Sequence, residues 1–155
     1  MKVMIATDGS DAAVQAARRA VALLHPDARI ELVTVIEARV DADEDAGGFE
    51  GPLLTEEQAD AEWADAQEAG RQALARTEAA LGGHADEERV VPSSASVADA
   101  LVAVMEAERP DVVVLGSHQP GWFDRLLHGS VEDRLLHRAP CPLLIVNHVT
   151  GERSP

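Results

Sequence analysis

Two short runs, "VVVL" at 112–115 and "LLIV" at 143–146, are apolar at every position. A strand with one wet face alternates apolar and polar residues, so unbroken runs like these belong to a sheet buried on both sides. Helices packed on both faces bury a sheet in that way, which points to α/β architecture with parallel strands. Residues 2–7 ("KVMIAT"), 29–37 ("RIELVTVIE") and 88–92 ("ERVVP") read as three further strands, and helical patterns separate them.

The helix boundaries are legible from capping chemistry. After "DGS", Val14, Ala17, Val21 and Leu24 recur at helical spacing, and Asp11 lies in the first turn. Gly9 and Ser10 read as a turn and helix cap rather than a nucleophile elbow. Thr55 and Gln58 make a capping box for a long helix that reaches about Leu81, where "GGH" ends it. Ser96 and Asp99 open a third helix with Val97, Leu101, Val104 and Met105 on its core face; "RPD" stops it. A fourth helix starts at Ser130. The order is βαβαβαβαβ, and 155 residues suffice for one domain with a proper core. The expected domain is 1–150, with an acidic insert at about 38–54 and a tail at 151–155. The insert combines Gly, Pro and clustered acids with few core formers, so it is expected to be a flexible loop.

Charge narrows the partners. The formal net charge is -15, which argues against duplex nucleic acid and anionic membranes. Residues 37–68 hold twelve acids and one base, so most of that charge is local and reads as a solvated loop and helix face. The remainder leaves room for an anionic ligand. No apolar run approaches the roughly 18 to 20 residues that span a membrane, and the start of the chain lacks a signal-peptide pattern. A single cysteine, Cys141, excludes an internal disulfide and fits a cytoplasmic location. It reads as a small core residue, not a reactive thiol.

Several chemistries drop out. Neither G-x-x-x-x-G-K-[ST] nor a G-x-G-x-x-G after the first strand is present. The six histidines are dispersed without zinc-like spacing, so no metal centre is expected. In open parallel sheets, ligands bind beyond the carboxyl ends of the strands where strand order reverses. Two segments leave such ends, "TDGSD" and "GSHQPGWFDRLLHGS". In the second, Gly116 ends a buried strand, while Gly129 and Ser130 open a helix whose free amides attract an anion. Gln119 and Pro120 oppose a phosphate cradle, because the residue before proline is held extended. Gly121, two residues further on, restores freedom, and His118 and Arg125 supply cationic character.

On "MIATDGSDAA" and "GSHQPGWFDRLLHGSVEDRLLHRAPCPLLIV" the chain resembles the universal stress protein family from end to end. The family's phosphate loop runs G-x2-G-x9-G-[ST]; Gly116, Gly129 and Ser130 match it, and Gln119 stands in the middle glycine's place. The resemblance implies a single open, twisted five-stranded parallel sheet of order 3-2-1-4-5 with helices on both faces. It also implies homodimers paired through the last strand, residues 142–148. By the same resemblance the nucleotide site comprises Ala6, Asp8, Val35, Gly116, His118, Gln119, Gly121, Gly129, Ser130 and Val131. Asp8 and Ala6 would line the adenosine end, and the Val35 backbone would meet the adenine edge. "ASV" at 95–97 departs from the usual G-x-P. The implied function is non-catalytic: a dimeric stress sensor or regulator binding ATP, with Mg accompanying it, at a weakened site. The alternatives are a ligand-free dimeric interaction scaffold and a nucleotidyl transferase or ATPase; "HQPG" is not the transferases' H-x-G-H.

Overall fold

In a computed structural model, residues 1–38, 55–117 and 135–147 are described. The strands are β1 (Lys2–Ala6), β2 (Arg29–Glu37), β3 (Glu87–Ser93), β4 (Val112–Ser117) and β5 (Leu143–Asn147). The helices are α1 (Asp11–Leu23), α2 (Glu56–Ala80) and α3 (Val97–Glu108), and residues 135–138 are also helical. The start of the expected fourth helix and the acidic insert lie outside the described residues.

Side-chain caps start all three named helices. Ser10 Oγ accepts from the Ala13 amide at 3.2 Å, and Ser96 Oγ accepts from the Asp99 amide at 3.2 Å. Thr55 and Gln58 cap reciprocally: the Gln58 amide donates to Thr55 Oγ1, and the Thr55 amide donates to Gln58 Oε1. Each such cap satisfies an amide that the first turn otherwise leaves without a partner.

The five strands pair in parallel in the order 3-2-1-4-5. The chain steps outward from β1 through β2 to β3, then crosses back to β4 and β5. Right-handed crossovers therefore put α1 and α2 on one face and α3 on the other. On the first face Val3, Ile5, Leu32 and Val114 meet Ala16, Ala17, Ala20 and Leu74. On the second, Met4, Val33 and Val113 meet Ala98, Leu101 and Met105. Central β1 is paired on both sides, and Val3, Met4 and Ile5 are at most 1% exposed. Each large apolar side chain so buried contributes about 1.5–3 kcal/mol.

The helix core faces differ in detail from the expected ones. In α1 the buried stripe is Ala12, Ala13, Ala16, Ala17 and Ala20; Val14, Val21 and Leu24 are only half-buried. The cause is close approach. A Cβ added at Gly116 would stand 3.1 Å from Ala16 Cβ, so α1 lies too near β4 for larger side chains. In α3, Leu101 and Met105 are buried as expected, with Ala98, Ala100 and Val102 beside them, while Val97 and Val104 are half-buried.

The amino end of the sheet carries a network of four charges. Glu31, 2% exposed, accepts from Arg89 Nε at 2.9 Å; Lys2 Nζ stands 3.0 Å from its other oxygen, ion-paired without hydrogen-bond alignment. Glu108, at the end of α3, accepts from both Lys2 and Arg89 at 2.7 and 2.6 Å. Two positive and two negative groups cancel, and bonding to Lys2 and Arg89 holds the Glu108 carboxyl below its ordinary range.

A like-charged pair sits on the other face of β3. Burial, and then the neighbouring Glu78 carboxylate, push the Glu88 carboxyl above its ordinary value of 4.5. A raised acid favours the fold while protonated and loses that contribution as pH rises through the folded-state value. Glu88→Gln is therefore expected to stabilise the fold at pH 7 by about a few tenths of a kcal/mol for so exposed a group, seen as a small rise in the thermal midpoint. The gain should vanish on acidification to about pH 4, as the wild type takes up its proton. Melting curves at the two pH values check this.

Candidate functional site

Strand order reverses between β1 and β4, so their carboxyl ends open a crevice. Ile5 pairs with Leu32 on one side and Val114 on the other. Counting along these registers puts Asp8 level with Val35, and Thr7 level with Gly116. Three of the expected site residues thus sit within about one residue's height at the same edge.

The β1–β2 ladder closes where the Thr7 amide donates to the Val33 carbonyl at 2.9 Å. In a parallel strand, residues two apart aim their backbone groups the same way. The Val35 amide and carbonyl therefore point past the end of β1, toward the crevice. Ala6, 2% exposed, shares its hydrophobic cluster with Val35 and Leu115 and forms part of the floor. Gly116 is buried, and the missing Cβ accommodates α1 on the opposite face. His118, Gln119, Gly121, Gly129, Ser130 and Val131 lie outside the described residues.

The turn after β1 is held by bonds that no local sequence pattern announced. Asp8 Oδ1 accepts from the Ser10 amide at 2.9 Å, and Gly9 takes φ 72°. Thr7 and Thr77 are fully buried, and their hydroxyl oxygens are 2.8 Å apart. Each hydroxyl has one proton. Thr77 donates to the Ala73 carbonyl, so Thr7 donates to Thr77 and accepts from the Gly9 amide. From α2, Arg76 Nη1 donates to the Gly9 carbonyl at 2.8 Å, while Nη2 pairs with the Asp11 carboxylate. A Cβ on Gly9 would fall 2.6 Å from Ala73 Cα. The side chains joined here are 65 to 70 positions apart, beyond the reach of periodicity or capping patterns.

Other surfaces are chemically poorer. A cleft of about 390 Å³ runs between β3 and α3, lined by Val91, Pro92, Ala103 and Val104 with Arg89 and Asp99 among its polar walls. None of the expected site residues lines it. Burial, and then Asp111, push the Cys141 thiol up, so it stays protonated near neutral pH. Among the described residues, no group of three or more His, Cys, Asp or Glu comes together, and no helix is long and apolar enough to cross a membrane.

Comparison with known proteins adds the following. The family model described as "Universal stress protein family" matches residues 1–147. A universal stress protein of Methanocaldococcus jannaschii is 29% identical over 154 residues, covering 94% of this chain and 81% of the relative. The crystal structure of a family member from Burkholderia pseudomallei superposes with a TM-score of 0.61 at 26% identity, covering 94% of both chains. A universal stress protein solved in complex with cAMP gives a TM-score of 0.57 at 25% identity, covering 96% of this chain and 98% of the other.

Proposed function

This chain belongs to the universal stress protein family, and on that premise we propose that it binds an adenine nucleotide, ATP above all, at the carboxyl edge of the sheet. The observation that carries the reading is the register at the open end of β1. The last pairs are Ala6 with Val33 and Ile5 with Val114, so Asp8, Val35 and Gly116 each follow two residues later at that carboxyl edge. Val35 offers its backbone to the adenine edge, Ala6 underlies the ring, and Asp8 faces the adenosine end. Gly116, His118, Gln119, Gly121, Gly129, Ser130 and Val131 take the phosphates, with the helix start expected at Ser130 as the anion site. The solved relative that holds cAMP supports the ligand class. Mg arrives with the ATP phosphates and not on a centre built by the described residues, since Arg76 holds Asp11 and the Ser10 amide takes one oxygen of Asp8. The role is that of a non-catalytic sensor or regulator in the cytoplasm.

Gln119 and Pro120 weaken the phosphate end by removing one close backbone approach. Loss of one charge-assisted hydrogen bond, about 1.5–3 kcal/mol, corresponds to about ten- to 150-fold in affinity. Calorimetric titration with Mg-ATP tests this. Gln119→Gly with Pro120→Ala should bind tighter than wild type, and Ser130→Ala weaker. No heat in the wild type, unrestored by the glycine variant, would leave a ligand-free scaffold as the function.

The nucleotide reading and the scaffold reading both expect a homodimer. β5 is one of the two edge strands of the sheet, and Ile145 on it is 37% exposed. An apolar sheet edge invites a second copy. A homodimer through residues 142–148 is expected to scatter light as twice the 16.5 kDa chain at micromolar concentration. A monomer mass would contradict it.

A further inference from the structure

We infer that Arg76 of α2 is a positioning residue that holds the Asp8 turn in its ligand-ready shape. The inference rests on the nucleotide reading above. Its basis is the double bonding of one guanidinium, to the Gly9 carbonyl at 2.8 Å and to the Asp11 carboxylate. Those two acceptors flank Ser10, whose amide orients Asp8.

The turn is short and costly to hold. Gly9 sits at φ 72°, a backbone state with close competitors for a residue without a Cβ. On the buried side, the Gly9 amide is tied through Thr7 and Thr77 to the Ala73 carbonyl. On the exposed side, Arg76 grips the turn from α2. A planar guanidinium holds its two acceptors in one fixed geometry, whereas an ammonium on a flexible stem does not fix them relative to each other. α2 thus fixes the turn from both sides, and a turn fixed beforehand loses less freedom when ligand arrives. Arg76 itself need not touch the nucleotide. The same guanidinium pairs with the Asp11 carboxylate in the first turn of α1.

The test uses the full chain with Arg76→Ala, Arg76→Lys and, as a control on the same helix, Arg71→Ala, whose side chain pairs with Glu68. Two quantities are read: hydrogen exchange of the Gly9 and Ser10 amides in the free protein, and affinity for AMP. Arg76→Ala should speed exchange at Gly9 and Ser10 about tenfold while Val3, Met4 and Ile5 keep their protection. Its AMP affinity should fall about tenfold, equivalent to about 1.4 kcal/mol. Arg76→Lys, which keeps the charge and loses the fixed fork, should recover part of both, and Arg71→Ala should change neither. Unchanged exchange at Gly9 and Ser10 overturns the inference. So does equal AMP affinity in wild type and Arg76→Ala, or loss of protection throughout β1, which would mark Arg76 as a general stabiliser. A wild type that binds no AMP fails the nucleotide reading itself and removes this inference with it.

Discussion

Gly9→Ala is expected to lower the unfolding free energy by about 2–5 kcal/mol, the sum of a left-handed backbone penalty and an overpacking cost. The backbone part follows from φ 72°. The packing part follows from Ala73, whose Cα and Cβ would lie 2.6 and 2.9 Å from the new methyl carbon. Backbone is the obstacle there, so no side-chain rotation relieves it. For a chain of this length the loss corresponds to a fall of roughly 5–15 °C in the midpoint. Gly83→Ala is the matched control: its φ is 75°, but nothing lies within 4 Å of the added carbon. It should cost only the backbone part, about 1 kcal/mol. Equal losses in the two variants would mean that α2 does not press on the β1–α1 turn.

Arg89→Met is expected to cost about 2–3 kcal/mol, less than the loss of a sole partner to a buried charge because Lys2 remains. Glu31 is 2% exposed and would keep a carboxylate oxygen with no donor. Arg89 itself is 42% exposed, so its own solvation changes little. The double variant Glu31→Leu, Arg89→Met should recover most of the loss, since an apolar pair of similar volume replaces the ion pair without a buried charge. Denaturant unfolding of the two variants and the wild type gives the comparison. A double variant as unstable as the single one would show that packing volume, not the stranded carboxylate, sets the cost.

What the sequence disclosed, and what it withheld, divides along range. The unbroken run at 112–115 lies in a strand whose Val113, Val114 and Leu115 are buried, as a sheet covered on both faces requires. The run at 143–146 lies on an edge strand, where only Val146 is buried and Ile145 is exposed. Ser10, Thr55 and Ser96 announced their helices, since an N-cap acts within three residues. The alanine face of α1 escaped, because hydrophobic periodicity weights valine over alanine and cannot register how close β4 lies. Glu31 looked like one polar position in a strand; its partners Arg89 and Glu108 come from elements far along the chain. For the site, the resemblance supplied Asp8, Val35 and Gly116, and the registers bring these to one edge. Thr7, Thr77 and Arg76 were missed for the same reason as the charge network. A side chain that supports a turn from another helix leaves no mark at the turn itself.

Binding of adenine nucleotide at the carboxyl edge between β1 and β4 is read most directly from a map of backbone amide shifts on adding Mg-ATP. Shifts are expected at Ala6, Thr7, Asp8, Val35 and Gly116 and along residues 118–131, all saturating together. Lys2, Glu31, Arg89 and Glu108 at the amino end should stay unmoved. No shift at millimolar nucleotide, or shifts confined to the cleft between β3 and α3, would contradict it.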